Sequence, residues 1–325
     1  MTLHNNAELF KDAITATAQQ MKIAEIYVEK DYWVTLALKT IFASEIGKEA
    51  VFKGGTALSK CYKLIERFSE DIDLVVLRRE AETDSQLKTK IRDLSKLVGT
   101  VMPEIEVEGI TRKMGMNRKT AHTYAKGEFK GELGQIREHI VVEATWLGNF
   151  EPYTNAEVIS FIAEMMRSNG QEELITEYGL EPFTVRVLTK ERTICEKIMS
   201  LVRFSYTDQP YEDLANKIRH IYDIHMLLKD PLVAIFFDSD EFDKMLNTVG
   251  KDDILTYKNN NDWLSSPPQK AIVYAEPEKT WDAIRQPYRT TFKDLVTGVL
   301  PEEEEMIITL KQVSERLKKV SWDVC

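Results

Sequence analysis

VFKGGTALSKCYKLIERFSEDIDLVVL, the stretch from Val51 to Leu77, joins two adjacent glycines to a short helical pattern and then to two aspartates one residue apart. Gly54 and Gly55 allow a backbone turn with φ > 0 and remove side chains that would block a ligand. Thr56 stands where a helix N-cap belongs. The exposed N–H groups of such a helix start attract phosphate. A tight turn before a capped helix would account for Gly-Gly-Thr on structural grounds alone. Two phosphate motifs are excluded: GGTALSK lacks the second glycine before the lysine that a P-loop requires, and no GxGxxG is present.

The apolar run Ile72–Leu77 reads as a buried strand. Residues i and i+2 of a strand face the same way. Asp71 and Asp73 therefore project together, about 6–7 Å apart along the backbone, while Ile72 and Leu74 face the core. Two carboxylates side by side repel unless a cation lies between them. Hard oxygen ligands suit Mg²⁺, which nucleotidyl transfer uses to hold phosphate oxygens. A lone DxD says little; a DxD one short helix after Gly-Gly-Thr says more. A third carboxylate is expected on a neighbouring strand, and Glu143 in HIVVEATW is the candidate. A buried glutamate needs a partner; an edge position facing water is the alternative.

Outward from this stretch, helices are expected over about 5–20 and 26–43, the second carrying Trp33, Leu36, Ala37, Thr40 and Ile41 at helical period. Ala50–Lys53 reads as a strand, 57–66 and 84–98 as helices, and 104–146 as a set of strands. Helices follow over 156–167, 191–204, 211–228 and 240–249, then a polar loop in LTYKNNNDWLSSPP. A last helix after Pro301 is acidic at its start and basic at its end, as the helix dipole favours. The expected organisation is a mixed α/β region over 1–150 and a mainly helical region over 151–325.

On α-helical spacing, Lys197 borders the apolar face Ile194, Ile198 and Leu201 and can reach a cleft, or pair with a nearby acid at the surface. Asp223 interrupts the apolar run IYDIHML, so it is paired or functional; Arg219, one turn earlier, is a candidate partner. His4 and His122 are expected to be exposed, and His139, His220 and His225 structural. No Ser-His-Asp or Cys-His arrangement is legible.

The 325 residues carry a net charge of −10, which disfavours non-specific duplex binding. Basic residues cluster locally in LKTKIRDLSK, TRKMGMNRK and AKGEFK, between residues 87 and 130, either as a solvated face or as an RNA-binding surface. No apolar run approaches the ~18 residues of a membrane span. The N-terminal MTLHNNAELFKDAI has no secretory pattern. Cys61, Cys195 and Cys325 form neither a CxxC nor a zinc pattern. The expected setting is the reducing cytoplasm, away from membranes.

GGTALSK…RFSEDIDL resembles the nucleotidyltransferase motif of the AbiEii/AbiGii abortive-infection toxins, within the DNA polymerase β-like superfamily. EKDYWVTLALKTIF, FKGGT, LTKERTICEKIMSLVRF and IRHIYDIHMLL extend the resemblance over about residues 25–230. It implies an α+β fold: a polymerase β-like mixed-sheet domain followed by a helical C-terminal domain that closes the nucleotide cleft. It implies a Mg²⁺- (or Mn²⁺-) dependent transfer of NMP from an NTP to an acceptor hydroxyl. It also implies a toxin with a cognate antitoxin and a role in phage defence. Relatives of this kind include enzymes that add nucleotides to the acceptor end of tRNA. On this resemblance Gly55 and Thr56 bind triphosphate with Gly54 shaping the turn, and Lys60 belongs to the same nucleotide-binding segment. Asp71 and Asp73 bind metal, with Glu143 as a third ligand. Lys197 contacts phosphates, Asp223 is a second polar anchor, and Arg67 and Ser69 support the strand or touch phosphate. Transfer to a protein or small molecule, and a non-catalytic protein that keeps the fold, are the rival readings.

Overall fold

The computed structural model describes residues 1–113, 115–127, 129, 137–147 and 151–324. The chain forms two compact units. The first comprises Met1–Tyr62, Phe68–Trp146 and Tyr153–Val187; the second comprises Lys63–Arg67, Leu147–Pro152 and Leu188–Cys325. The segment 153–187, beyond residue 150, thus packs with the sheet-bearing unit. Residues 148–150, where the sequence pattern changes, lie outside the described residues.

The first unit is built on a seven-stranded mixed sheet. Its strands are β1 (Ala50–Lys53), β2 (Ile72–Val76), β3 (Glu104–Ile105), β4 (Asn117–His122), β5 (Ile140–Thr145), β6 (Tyr153–Val158) and β7 (Phe183–Leu188). Their order across the sheet is β3-β4-β5-β2-β1-β7-β6. β2 runs antiparallel to β1 and parallel to β5, so the strand that carries Asp73 lies between two partners. Its core-facing residues Ile72 and Leu74 are buried, as the alternation requires.

Helices α1 (Ala7–Met21), α2 (Glu25–Phe42), α3 (Gly54–Lys60), α4 (Asp84–Gly99), α5 (Phe161–Ser168) and α6 (Glu172–Glu177) belong to this unit. α2 is buried nearly all round, from Val28 to Leu38 and again at Ile41. It packs against α1, α4, α5 and β5, which explains how an apolar helix of this length stays covered.

Several expected elements differ. The helix after the glycines begins at Gly54 rather than Ala57 and ends at Lys60 rather than near 66. Lys53, not Thr56, holds its N-cap position, and no side chain caps it. The Thr56 hydroxyl donates instead to Ser69. Lys63, at φ 54°, lies in the left-handed region that an α-helix cannot continue through. The helix expected over 156–167 is preceded by a strand: β6 takes residues to Val158, and Ser160 caps α5 through its hydroxyl. β7 stands where no strand is expected, although FTVRVL alternates at period 2. His122 is buried, its ring between the Thr120 hydroxyl and the Met102 carbonyl, and not exposed.

The second unit is helical: α7 (Lys190–Phe204), α8 (Pro210–Ala215), α9 (Ile218–Leu228), α10 (Pro231–Phe237), α11 (Asp240–Thr256), α12 (Ile272–Ala275), α13 (Pro277–Ile284) and α14 (Glu303–Leu317). The helix expected over 211–228 is two helices, α8 and α9. α11 continues through Thr256, into the stretch expected to be loop. α7 packs on α9 and α11, and α9 on α14, burying Ile194, Ile198, Leu201, Ile221, Ile224 and Leu227. Among the described residues no helix is long and apolar enough to cross a membrane.

Candidate active site

Four charged residues form one row across four neighbouring strands of the first unit. Lys53 of β1 is opposite Asp73 of β2, Asp73 is opposite Glu143 of β5, and Glu143 is opposite Lys119 of β4. Residues in register on adjacent strands share a face and approach closely. The sequence marked the two acids of this row; Lys53 and Lys119 were missed, because strand pairing cannot be read from local pattern.

The two acids are held differently. Glu143 accepts from the Asn117 amide at 2.7 Å, and Lys119 Nζ lies 3.1 Å from its other oxygen. Burial acts to raise the Glu143 carboxyl, but Asn117 and Lys119 outweigh it and hold the group below its usual range. Asp73 is pushed up to about 7, first by burial and then by the negative charges of Asp71 and Glu143. Lys53 and Lys119 offset only part of that rise. β5 lies between β4 and β2, so Glu143 is not at a sheet edge, although its side chain is 32% exposed to water.

The glycine turn fits against this pair. Gly54 has φ 82°, where a side chain is strained, and a Cβ there would come within 2.2 Å of Asp73 Oδ2. A glycine at this position therefore lets the aspartate carboxylate lie directly on the backbone that opens α3. Thr56 is buried two residues further on, its hydroxyl 2.9 Å from Ser69 Oγ. That bond ties the first turn of α3 to the segment leading into β2.

Asp71 lies one residue before β2 and pairs with the Arg137 guanidinium. Its neighbour Glu70 accepts the Arg137 N–H at 3.0 Å and meets Lys30 Nζ at 3.0 Å. Lys30 is fully buried and also donates to the His139 carbonyl at 2.8 Å. The adjacent Glu29 accepts from the Gly127 N–H and is raised to about 7 by burial, which that bond and Lys30 only partly oppose. Lys60, the lysine of GGTALSK, is buried, with Nζ 2.5 Å from Asp31 Oδ1; the other Asp31 oxygen accepts the Phe161 N–H at 2.8 Å. Lys30 thus braces the DxD segment through Glu70, Asp31 braces α3 through Lys60, and Glu29 holds the backbone at Gly127, all from α2. The signal was present: three consecutive charges inside an otherwise apolar helix must find partners.

A separate cluster forms in the second unit. Asp223 of α9 is fully buried and takes a two-point contact from Arg67, Nε to Oδ1 at 2.7 Å and Nη2 to Oδ2 at 2.8 Å. Lys197 of α7 donates to Asp223 Oδ2 at 2.6 Å. Burial alone would raise the Asp223 carboxyl, but the two cations hold it well below the usual carboxylate range. Arg67 and Lys197 are partners of Asp223 that local spacing does not reveal. The structure therefore brings Arg67, Lys197 and Asp223 together, and Gly54, Thr56, Ser69, Asp71, Asp73 and Glu143 together, each set within its own unit.

Among the described residues no three His, Cys, Asp or Glu side chains stand ready as a metal cluster. The donor chemistry nonetheless fits a hard divalent cation. Asp73 and Glu143 are adjacent carboxylates whose mutual repulsion a cation relieves, and Asp71 adds a third acidic group close enough to raise Asp73.

The family model described as nucleotidyl transferase AbiEii toxin, type IV TA system, matches residues 36–312. No curated protein matches the sequence. Among solved structures, MenT4, a nucleotidyltransferase toxin from Mycobacterium tuberculosis H37Rv, is similar at 17% identity. That similarity covers 94% of this chain and 98% of the other, with a TM-score of 0.47.

Proposed function

Since the chain belongs to the AbiEii family of nucleotidyl transferase toxins of type IV toxin–antitoxin systems, we propose that it transfers an NMP from an NTP to an acceptor hydroxyl at the Gly54–Asp73–Glu143 site. The observation that carries this reading is the in-register pair Asp73 and Glu143, with the Asp73 carboxylate laid against Gly54.

In this reading Asp71, Asp73 and Glu143 hold Mg²⁺ (or Mn²⁺), and backbone N–H groups at Gly54, Gly55 and Thr56 receive the triphosphate. When bound, the cation neutralises charge on the phosphate oxygens and makes the acceptor hydroxyl easier to deprotonate. Ser69 keeps the Thr56 turn in place through its hydroxyl. Asn117 and Lys119 keep Glu143 ionised and oriented. Within the second unit, Asp223, gripped by Arg67, fixes where the Lys197 ammonium points. The acceptor oxygen attacks the α-phosphorus in line, the bond to the bridging oxygen breaks, and pyrophosphate leaves; positioning supplies most of the acceleration. Lys60, bonded to Asp31, supports α3 from the core side in this scheme.

The acceptor we favour is RNA, the 3′ end of tRNA in particular, and the partner is a cognate antitoxin. The basic stretch between 87 and 130 supports RNA only weakly. Lys90 pairs with Glu49 and Glu82, Lys113 and Arg118 with Glu104, and Lys126 with Glu138. That pairing, with the net charge of −10, favours a second reading in which the hydroxyl belongs to a protein or small molecule.

The test incubates purified protein with Mg²⁺, each α-labelled NTP, total RNA and protein extract, beside Asp73→Ala. Label in a tRNA-sized band that Asp73→Ala abolishes is the expected result. Label in protein or metabolite instead selects the second reading. Equal label from Asp73→Ala overturns the site.

A further inference from the structure

The segment entering β5 is fastened to the segment entering β2 by a single residue acting twice. The Arg137 backbone N–H donates to Glu70 Oε1 at 3.0 Å, and the Arg137 guanidinium donates to Asp71 Oδ1. Glu70 is fixed in turn by the buried Lys30, which also holds the carbonyl of His139. The backbone is therefore anchored at Arg137 and again at His139. Its side chain is 34% exposed and that of Asp71 28%, so water reaches the contact. An anchored backbone with a long, partly solvated side chain is a cation on a fixed pivot.

A guanidinium only donates, and each carboxylate lone pair it uses is one that a divalent cation cannot use. Asp71 Oδ1 has a second lone pair and can serve both, but an oxygen shared with the guanidinium is a poorer ligand for the ion. A divalent ion beside Asp71 and Asp73 also repels a guanidinium at contact distance. Substrate phosphates, whose oxygens share the ion, offer the guanidinium the two-point acceptor geometry it prefers.

We propose that Arg137 is the exchangeable counter-cation of the metal site: it holds Asp71 while no divalent cation is bound, and passes to the phosphate oxygens of the nucleotide once one is. This rests on Asp71 being a metal ligand, so the test separates the two ideas.

Mn²⁺ binding to the full-length, nucleotide-free protein is followed by electron paramagnetic resonance for wild type, Arg137→Gln and Asp71→Asn. Tripolyphosphate binding at saturating Mn²⁺ is then followed by calorimetry. Removing the competitor in Arg137→Gln is expected to tighten Mn²⁺ about two- to fivefold, the scale of a half-exposed ion pair, and to weaken tripolyphosphate. Unchanged or weaker Mn²⁺ affinity in Arg137→Gln, with binding lost in Asp71→Asn, overturns the proposal and leaves the metal site standing. Unchanged tripolyphosphate affinity also overturns it. Wild-type Mn²⁺ binding by Asp71→Asn overturns the metal reading of Asp71 and the proposal with it.

Discussion

Asp73 and Glu143 face each other in register on parallel neighbouring strands, and only Glu143 is held fully ionised. The difference comes from their other neighbours. Glu143 has Asn117 and Lys119 on its far side, while Asp73 lies against the backbone of Gly54. Two equivalent acids would share their repulsion; here it falls on Asp73.

That asymmetry sets a pH dependence of stability. An unfolded aspartate ionises near 4 and the folded Asp73 near 7, so between these values the native state keeps a proton that the unfolded state has lost. Stability therefore falls as pH rises from about 4 to about 7 and is level above. Asp73→Asn has no such group to ionise. Its melting temperature is expected to exceed that of wild type at pH 8, by at most about 4 kcal/mol in free energy, and the gap should close towards pH 4. Melting curves against pH in metal-free buffer check this; a constant gap contradicts it. The same variant loses transfer activity.

Gly54→Ala places a methyl group 2.2 Å from Asp73 Oδ2, at a φ that alanine adopts only under strain. The left-handed backbone alone costs about 1–2 kcal/mol. Displacement of the carboxylate should lower activity beyond what the stability loss explains. Measuring kcat well below the melting transition separates the two effects; wild-type kcat there would contradict the geometry.

The Arg67–Asp223–Lys197 cluster predicts unequal effects of its members. Asp223→Asn leaves two cations in a buried place and should cost about 3–5 kcal/mol. Lys197→Met leaves the two-point Arg67–Asp223 pair intact and should cost clearly less. Urea unfolding of both variants tests the order. Because Asp223 ionises well below its unfolded value, its contribution is present above about pH 4 and is lost as pH falls further.

Lys60→Met leaves Asp31 buried with only the Phe161 N–H among its two bonded partners. The expected loss is about 3–5 kcal/mol of stability, with KM for the NTP unchanged at temperatures where the variant is folded. A raised KM in a stable variant would place Lys60 at the nucleotide after all.

The local pattern alone determined much of this protein. Gly54–Gly55–Thr56 before Asp71 and Asp73, the strands at Ala50–Lys53 and Ile72–Val76, and α2 were legible because turn chemistry and periodicities of 2 and 3.6 are encoded within a few residues. So was the family, whose model covers residues 36–312. Partners distant in the chain were not legible. Glu143 could be suspected as an acid in an apolar strand, but its place beside Asp73 depends on β5 pairing parallel to β2, across some 70 residues of chain. Lys30 with Glu70, Lys60 with Asp31, and Arg137 with Asp71 likewise join residues that no local rule connects. Of the strands that complete one side of the sheet, β7 does carry its own period-2, β-branched pattern in FTVRVL, whereas β6, YTNAEV, draws its character from pairing. The sequence marked which groups are candidates for the chemistry; tertiary structure decided their ionisation, because burial and the nearest opposite charge are set by which strands and helices meet.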